Sequence, residues 1–476
     1  MTMTSTAAPT ATPAATSTAA SRRRRPAALA AGLALLTAAL AAGAPAATAA
    51  TAETAGASGV GRHCALMGLL TVVGAEHQEK SCLDDLTTAG TVASGRTDPA
   101  DWAGLHPAGA TSPSGVPGVQ IDGYFPDTST TNTNHGWNHD SQFVIRLPDD
   151  WNGGLVVAGT PGNREQYAND FVISDWALAK GYAYAATDKG NTGLDFYKDG
   201  RKPGDALAEW NTRVTQVALA AKAVAAQRYG RLPRRTYAAG ISNGGYLVRW
   251  QLENRPWLYD GGVDWEGTLW TQDDNLLTFL PPALRAYPKG DAQAMYDAGY
   301  AKGSEFLWPF HHQVYWDLTQ RLYREELDPG YDGDTDAGTP FCASGTPDCD
   351  ADYDYAARRK YVAPAVRKIE LTGRIGKPLI TLQGTLDTLL PISRTGDVYA
   401  KMVGDRPFRY YRITDGTHTD GLYASFPDRL RPMLPCFRTA FDALAGWVEK
   451  GQAPPPSATL PRPASGDLVN ACQLGR

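Results

Sequence analysis

The chain has 476 residues, enough to bury a large core, and its 43% apolar and 20% charged residues are ordinary for a globular protein. A net charge of −5 leaves no electrostatic footprint for nucleic acid or for an anionic membrane surface, so neither is expected as a partner. The 12 Trp and 22 Tyr suit an organic ligand, but most are expected to be packing residues.

In chain order, residues 1–50 read as an export signal. Arg22–Arg25 form a cationic start, residues 26–43 an Ala-rich apolar run, and Ala47-Thr48-Ala49 a small-residue cleavage site. The arginine cluster leaves a twin-arginine route open beside the general one. No later segment is apolar for long enough to span a bilayer, so a secreted protein without a stable membrane anchor is expected. Six cysteines remain after cleavage: Cys64, Cys82, Cys342, Cys349, Cys436 and Cys472. An even number in an oxidising compartment predicts disulfides, and the local pairing is Cys64–Cys82, Cys342–Cys349 and Cys436–Cys472.

Residues 51–117 are rich in Gly, Ser, Thr and Pro and read as an irregular lead-in. From 118 to 269 strands and helices alternate. Strands are predicted at 118–125, 141–148, 155–159, 182–188, 235–242 and 259–267, with a long helix at 207–229. The pattern resumes at 371–452, with strands at 377–384 and 408–416 and a closing amphipathic helix at 434–451. Short, continuously apolar strands between helices imply an α/β fold with a mostly parallel sheet covered on both faces. Residues 270–370 interrupt this rhythm and read as a large lid inserted above the carboxyl edge of the sheet, where ligands bind in open α/β sheets. Residues 453–476 read as a linker-like tail.

The strongest chemical signal is Gly240-Ile241-Ser242-Asn243-Gly244, placed between a strand and a helix. That placement turns a common pentapeptide into a nucleophile elbow, with Ser242 as nucleophile. A serine hydroxyl needs a base. Of the eight histidines only His311, His312 and His418 follow Ser242. His418, just after the last core strand, is the expected base, while His311 and His312 lie in the lid and are expected to pack or touch substrate. Asp387, after the preceding strand, is the expected acid; Asp415 and Asp420, which flank His418, are expected turn residues. Oxyanion donors are expected from the backbone of Asn243 and from the 159–163 loop, where Pro161 has no N–H and Thr160 and Gly162 are the candidates. Trp308, Phe310, Tyr315 and Trp316 form an aromatic stretch of the lid that suits a substrate wall. Asp332, Asp334 and Asp336 alternate in a Gly-containing loop as ligands of a structural Ca²⁺ would, although the EF-hand pattern fails and a solvated loop is the simpler reading.

On these residues the chain resembles secreted hydrolases of the α/β-hydrolase fold, and is most similar to the tannase and feruloyl esterase family. The elbow ISNGGY, the YDGG that follows it, the long lid before the acid and the export signal carry the likeness. The resemblance implies cleavage of carboxylic esters and a calcium in the lid, at the Asp332–Asp336 position. That family joins a cysteine before the nucleophile to one after the histidine; here Ile241 and Thr419 stand there, so galloyl or feruloyl specificity does not carry over. Extracellular hydrolases of 3-hydroxybutyrate oligomers share the S-N-G-G elbow and are a second likeness. The expected activity is extracellular hydrolysis of a small-molecule or oligomeric ester through an acyl-enzyme, with no redox or group-transfer cofactor required. The alternative is an exported serine peptidase on the same fold, with Glu266 or the lid aspartates holding a substrate amine; a non-catalytic binding module is the third reading.

Overall fold

In the computed structural model the described residues are Cys64, 66–331 and 350–475. The export signal, the Cys342–Cys349 pair and the Asp332–Asp336 loop lie outside them. Ten strands form one sheet: β1 His77–Leu83, β2 Gly118–Tyr124, β3 Gln142–Pro148, β4 Gly154–Gly159, β5 Ala183–Thr187, β6 Arg235–Ile241, β7 Gly261–Trp265, β8 Leu379–Gly384, β9 Phe408–Ile413 and β10 Ala458–Leu460. Their spatial order is β1-β2-β3-β5-β4-β6-β7-β8-β9-β10. From β5 to β10 every pairing is parallel, and β1, β2 and β3 join antiparallel at one edge.

The apolar runs are continuous because both faces of the sheet are covered. Along β4, Leu155 and Val157 enter one hydrophobic cluster while Val156 and Ala158 enter the other. The first cluster includes the apolar faces of α1 (Asp205–Tyr229) and α2 (Asn243–Asn254). Between β7 and β8 the inserted segment adds α3 (Leu276–Ala286), α4 (Asp317–Leu327) and α5 (Tyr355–Val366) to that cluster. The opposite face is covered by α6 (Leu434–Lys450). Side chains alternate across a strand, so one helix layer on each side buries every residue of a central strand.

Two elements differ from the sequence reading. The lead-in contains β1, whose residues HQEKSCL are mostly polar and half-buried, as suits an edge strand paired on one side only. The tail contains β10, which extends the sheet beyond β9 for three residues. Disulfides tie both down: Cys64–Cys82 fastens the segment before β1, and Cys436–Cys472 fastens the tail to α6.

Candidate active site

The sheet reverses its winding between β4 and its neighbours β5 and β6, and Ser242 leaves the carboxyl end of β6 there. Its backbone has φ 60° and ψ −123°, a strained conformation for a residue with a side chain. The bend is possible only with glycines beside it. A Cβ on Gly240 would lie 2.3 Å from the Gly244 carbonyl oxygen, and one on Gly244 would lie 1.9 Å from the Gly159 carbonyl oxygen. Ser242 N–H donates to the Trp265 carbonyl at 2.9 Å, and Tyr246 N–H closes the first turn of α2 on the Ser242 carbonyl at 3.0 Å.

Successive parallel strands deliver the other groups. Glu266 follows β7, Asp387 follows β8 and His418 follows β9. His418 Nδ1 lies 2.8 Å from Asp387 Oδ2, and His418 is 3% exposed. Asp387 is fixed by the backbone N–H groups of Leu389 and Leu390, both at 2.8 Å, and by Gln383 Nε2 at 3.0 Å. Burial disfavours a charged His418 ring, but the Asp387 and Glu266 carboxyls beside it more than offset this and hold its pKa above the ordinary value. Glu266 is fully buried, with Oε2 3.3 Å from His418 Nδ1, so it faces the imidazole and is not placed to hold a substrate amine. Nothing local in the sequence marks Glu266 as a partner of the histidine; the order and register of β7, β8 and β9 bring it there.

The competing aspartates have other duties. Asp420 caps α6, accepting from the N–H groups of Met433 at 2.6 Å and Leu434 at 2.8 Å. Asp415 sits in a tight turn with φ 62° and takes its backbone bond from N–H to Thr385 Oγ1 at 3.0 Å.

The loop after β4 lies against the elbow. Asn243 Nδ2 donates to the Gly162 carbonyl at 3.1 Å, and the Asn243 N–H belongs to the first turn of α2, where backbone donors lack intrahelical partners. Gly162 takes a left-handed φ of 51°. The Thr160 side chain is occupied: its hydroxyl donates to the Thr187 carbonyl at 3.2 Å and accepts from Lys189 Nζ at 2.5 Å. Lys189 also donates to the Arg164 carbonyl at 3.0 Å, so one buried lysine spans both ends of this loop. Burial lowers its pKa to about 7 against the pull of Asp188 and Glu165.

From the inserted segment, Tyr323 accepts a 2.6 Å hydrogen bond from Asn243 Nδ2 and packs near Phe196 and Trp270. His311 shares a 2.6 Å hydrogen bond with Thr388 Oγ1, next to Asp387, and burial lowers its pKa to about 4, keeping it neutral. His312 packs between Tyr287 and Trp316. Of the four aromatics expected to meet substrate, Trp316 is fully buried with its indole N–H on the Thr388 carbonyl, and Trp308 is 6% exposed with its N–H on Ser304 Oγ. Trp316 is thus a core residue, and Trp308 keeps only a little exposed surface, about as much as Tyr323. Phe310 is 44% exposed and packs edge-on to Phe426, and Tyr315 lies beside His311. Tyr323 went unnoticed in the sequence because its spacing is that of an ordinary amphipathic helix.

Among the described residues no helix is long and apolar enough to cross a membrane. The family model "Tannase and feruloyl esterase" matches residues 128–261, which include the elbow, and "3HB-oligomer hydrolase" matches residues 341–474, which include Asp387 and His418. A D-(-)-3-hydroxybutyrate oligomer hydrolase of Polaromonas naphthalenivorans is 33% identical over 122 residues, 24% of this chain and 17% of that protein. The counterpart from Albidiferax ferrireducens is 31% identical over 105 residues, 20% of this chain and 15% of that protein. The match thus spans less than a fifth of these curated relatives. Among solved structures, Aspergillus oryzae feruloyl esterase B aligns over 82% of this chain and 90% of its own at 13% identity and a TM-score of 0.47. The tannin acyl hydrolase of Aspergillus niger aligns over 81% and 86% at 13% identity and a TM-score of 0.49. Strand order, elbow and the two family matches make this chain an α/β-hydrolase-fold protein similar to the tannase and feruloyl esterase family and to the 3-hydroxybutyrate oligomer hydrolases.

Proposed function

We propose that the protein is a secreted serine hydrolase that cleaves carboxylic esters through an acyl-enzyme. The observation that carries this reading is the 2.8 Å contact of His418 Nδ1 with Asp387 Oδ2, linked to the strained Ser242 elbow through Glu266 beside the imidazole and the Ser242 N–H bond to neighbouring Trp265. In this reading Ser242 Oγ attacks the ester carbonyl carbon while His418 Nε2 takes its proton. Asp387 holds Nδ1–H and stabilises the imidazolium. The tetrahedral oxyanion is met by Asn243 N–H and by an N–H of the 159–163 loop, Thr160 or Gly162. His418 returns the proton to the departing alkoxide, and water repeats the sequence to free the acid. In this reading Tyr315, Tyr323, His311 and the exposed Phe310 of the inserted segment would meet the substrate, and they suit an aromatic or apolar ester, small or oligomeric. The two disulfides support export to an oxidising compartment. Hydrolysis of a chromogenic short-chain ester by the folded chain is the test, with Ser242→Ala beside it. Loss of turnover and of fluorophosphonate labelling in that variant is the expected result; an unchanged rate ends the reading.

A further inference from the structure

Two carboxyl groups converge on one imidazole nitrogen. Asp387 Oδ2 is 2.8 Å and Glu266 Oε2 is 3.3 Å from His418 Nδ1, and both carboxyls are buried. Resting on the reading of Ser242, His418 and Asp387 above, we propose that Glu266 is a second positioning residue for His418, a carboxyl held beside the Nδ1–H that Asp387 accepts and ready to take that bond over when Asp387 is removed.

The two carboxyls are provided for unequally. Asp387 receives two backbone N–H groups, an amide N–H and the imidazole. Glu266 receives one backbone N–H, from Gly384 to Oε1, and its Oε2 has no hydrogen bond. Two carboxylates this close in a dry site repel, and the one with fewer donors keeps the proton. Burial, and then the negative charge of Asp387, push the Glu266 carboxyl well above the usual carboxylate range. The further titratable groups that feel Asp387 are His311, which burial keeps neutral, and Tyr300 and Tyr315, whose hydroxyls burial pushes up. Asp387, with more donors, is therefore the better-provided acceptor for Nδ1–H, and Glu266 the carboxyl less favoured to ionise beside it.

The backbone is shaped around this carboxyl. Glu266 takes a left-handed φ of 51°, costly for a residue with a side chain, and its N–H is bound to the Leu382 carbonyl at 2.8 Å. A Cβ on Gly384 would lie 2.7 Å from Glu266 Oε1. The turn is pinned from below by Asp264, which accepts Gly267 N–H at 2.8 Å and Arg249 Nε at 2.6 Å. When Asp387 is removed, its charge no longer opposes ionisation of Glu266, and the only remaining carboxyl within reach of Nδ1 among the described residues becomes the ring's partner.

Ester turnover of the full chain in a double-mutant cycle tests this. Asp387→Ala is expected to lose only about 10- to 100-fold in kcat, where loss of the acid in a Ser-His-Asp triad ordinarily costs about 10⁴-fold. Glu266→Gln alone is expected to lose less than about 10-fold, but a further 100-fold or so in the Asp387→Ala background, with KM unchanged. A purely structural role would cost the same factor in both backgrounds, and that result overturns the proposal. An Asp387→Ala variant as inactive as Ser242→Ala overturns it as well. Asp387→Ser serves as the background if Asp387→Ala does not fold, and the rate of fluorophosphonate labelling gives a second readout. Activity that survives Ser242→Ala strikes the underlying reading instead, so the two failures are distinguishable.

Discussion

The sheet and the segment inserted between β7 and β8 place their residues by different physics. In the sheet, Ser242, Glu266, Asp387 and His418 each stand just past a strand end, and parallel register alone sets their spacing. In the insertion, position is set by side chains: Arg324 Nε reaches Asp350 Oδ2 at 2.7 Å, Arg358 Nε reaches Asp328 Oδ2 at 2.7 Å, and Tyr300 and Tyr287 pack on Trp316. The difference teaches where each half is vulnerable. Backbone crowding should cost the sheet its chemistry, while loss of a buried partner should cost the insertion its stability.

Arg324→Met sharpens the contrast most. It takes from the buried Asp350 carboxylate its 2.7 Å partner and leaves only the weaker pull of Arg321, so unfolding free energy should fall by up to about 3–5 kcal/mol in a urea titration, with kcat nearly unchanged below the transition. Gly244→Ala is the reverse case. Its Cβ cannot fit against the Gly159 carbonyl, so the elbow must shift, and kcat should fall by about 100-fold or more with far-UV circular dichroism retained.

Lys189 sits where the sheet supports its own loop, and its effect is read through pH. Its pKa is near 7 in the folded chain and ordinary when unfolded. Between about pH 7 and pH 10 the unfolded chain therefore binds a proton that the native state lacks, and this group's contribution to stability rises with pH. Lys189→Met should flatten that rise by up to roughly 1.4 kcal/mol per pH unit, measured by urea titrations across the window. The smallest expected effect is that of Tyr323→Phe, which crosses between the two regions. It removes one hydrogen bond to Asn243, and kcat should fall by about 5- to 10-fold with little change in melting temperature. A large stability loss there would mean that the insertion and the elbow are not separable.

The same contrast explains what could be read from the sequence. Runs such as Leu155–Gly159 and Tyr237–Ile241 announce themselves because burial on both faces leaves no charged interruption. Ser242, Asp387 and His418 could be proposed because each follows a strand read from its β-forming residues. β1 was hidden because HQEKSCL has no apolar alternation, and β10 because three residues are too few to show a period. Glu266 follows a strand too, but its partnership with His418 depends on which strands are neighbours, and sequence order is silent on that. In the insertion, Trp308 and Trp316 looked like a wall for substrate, yet only their tertiary packing shows that their indoles face inward.

The cap that Asp420 places on α6 has a mechanical consequence. Only Thr419 separates the histidine proposed to move the proton from the carboxylate that grips a seventeen-residue helix, and Cys436 in that helix's first turn carries the covalent link to the tail. Histidine, helix and tail thus form one lever. Whatever loosens its far end, whether reduction of the sulfur bridge or clipping of the last residues, would be felt as play in the imidazole.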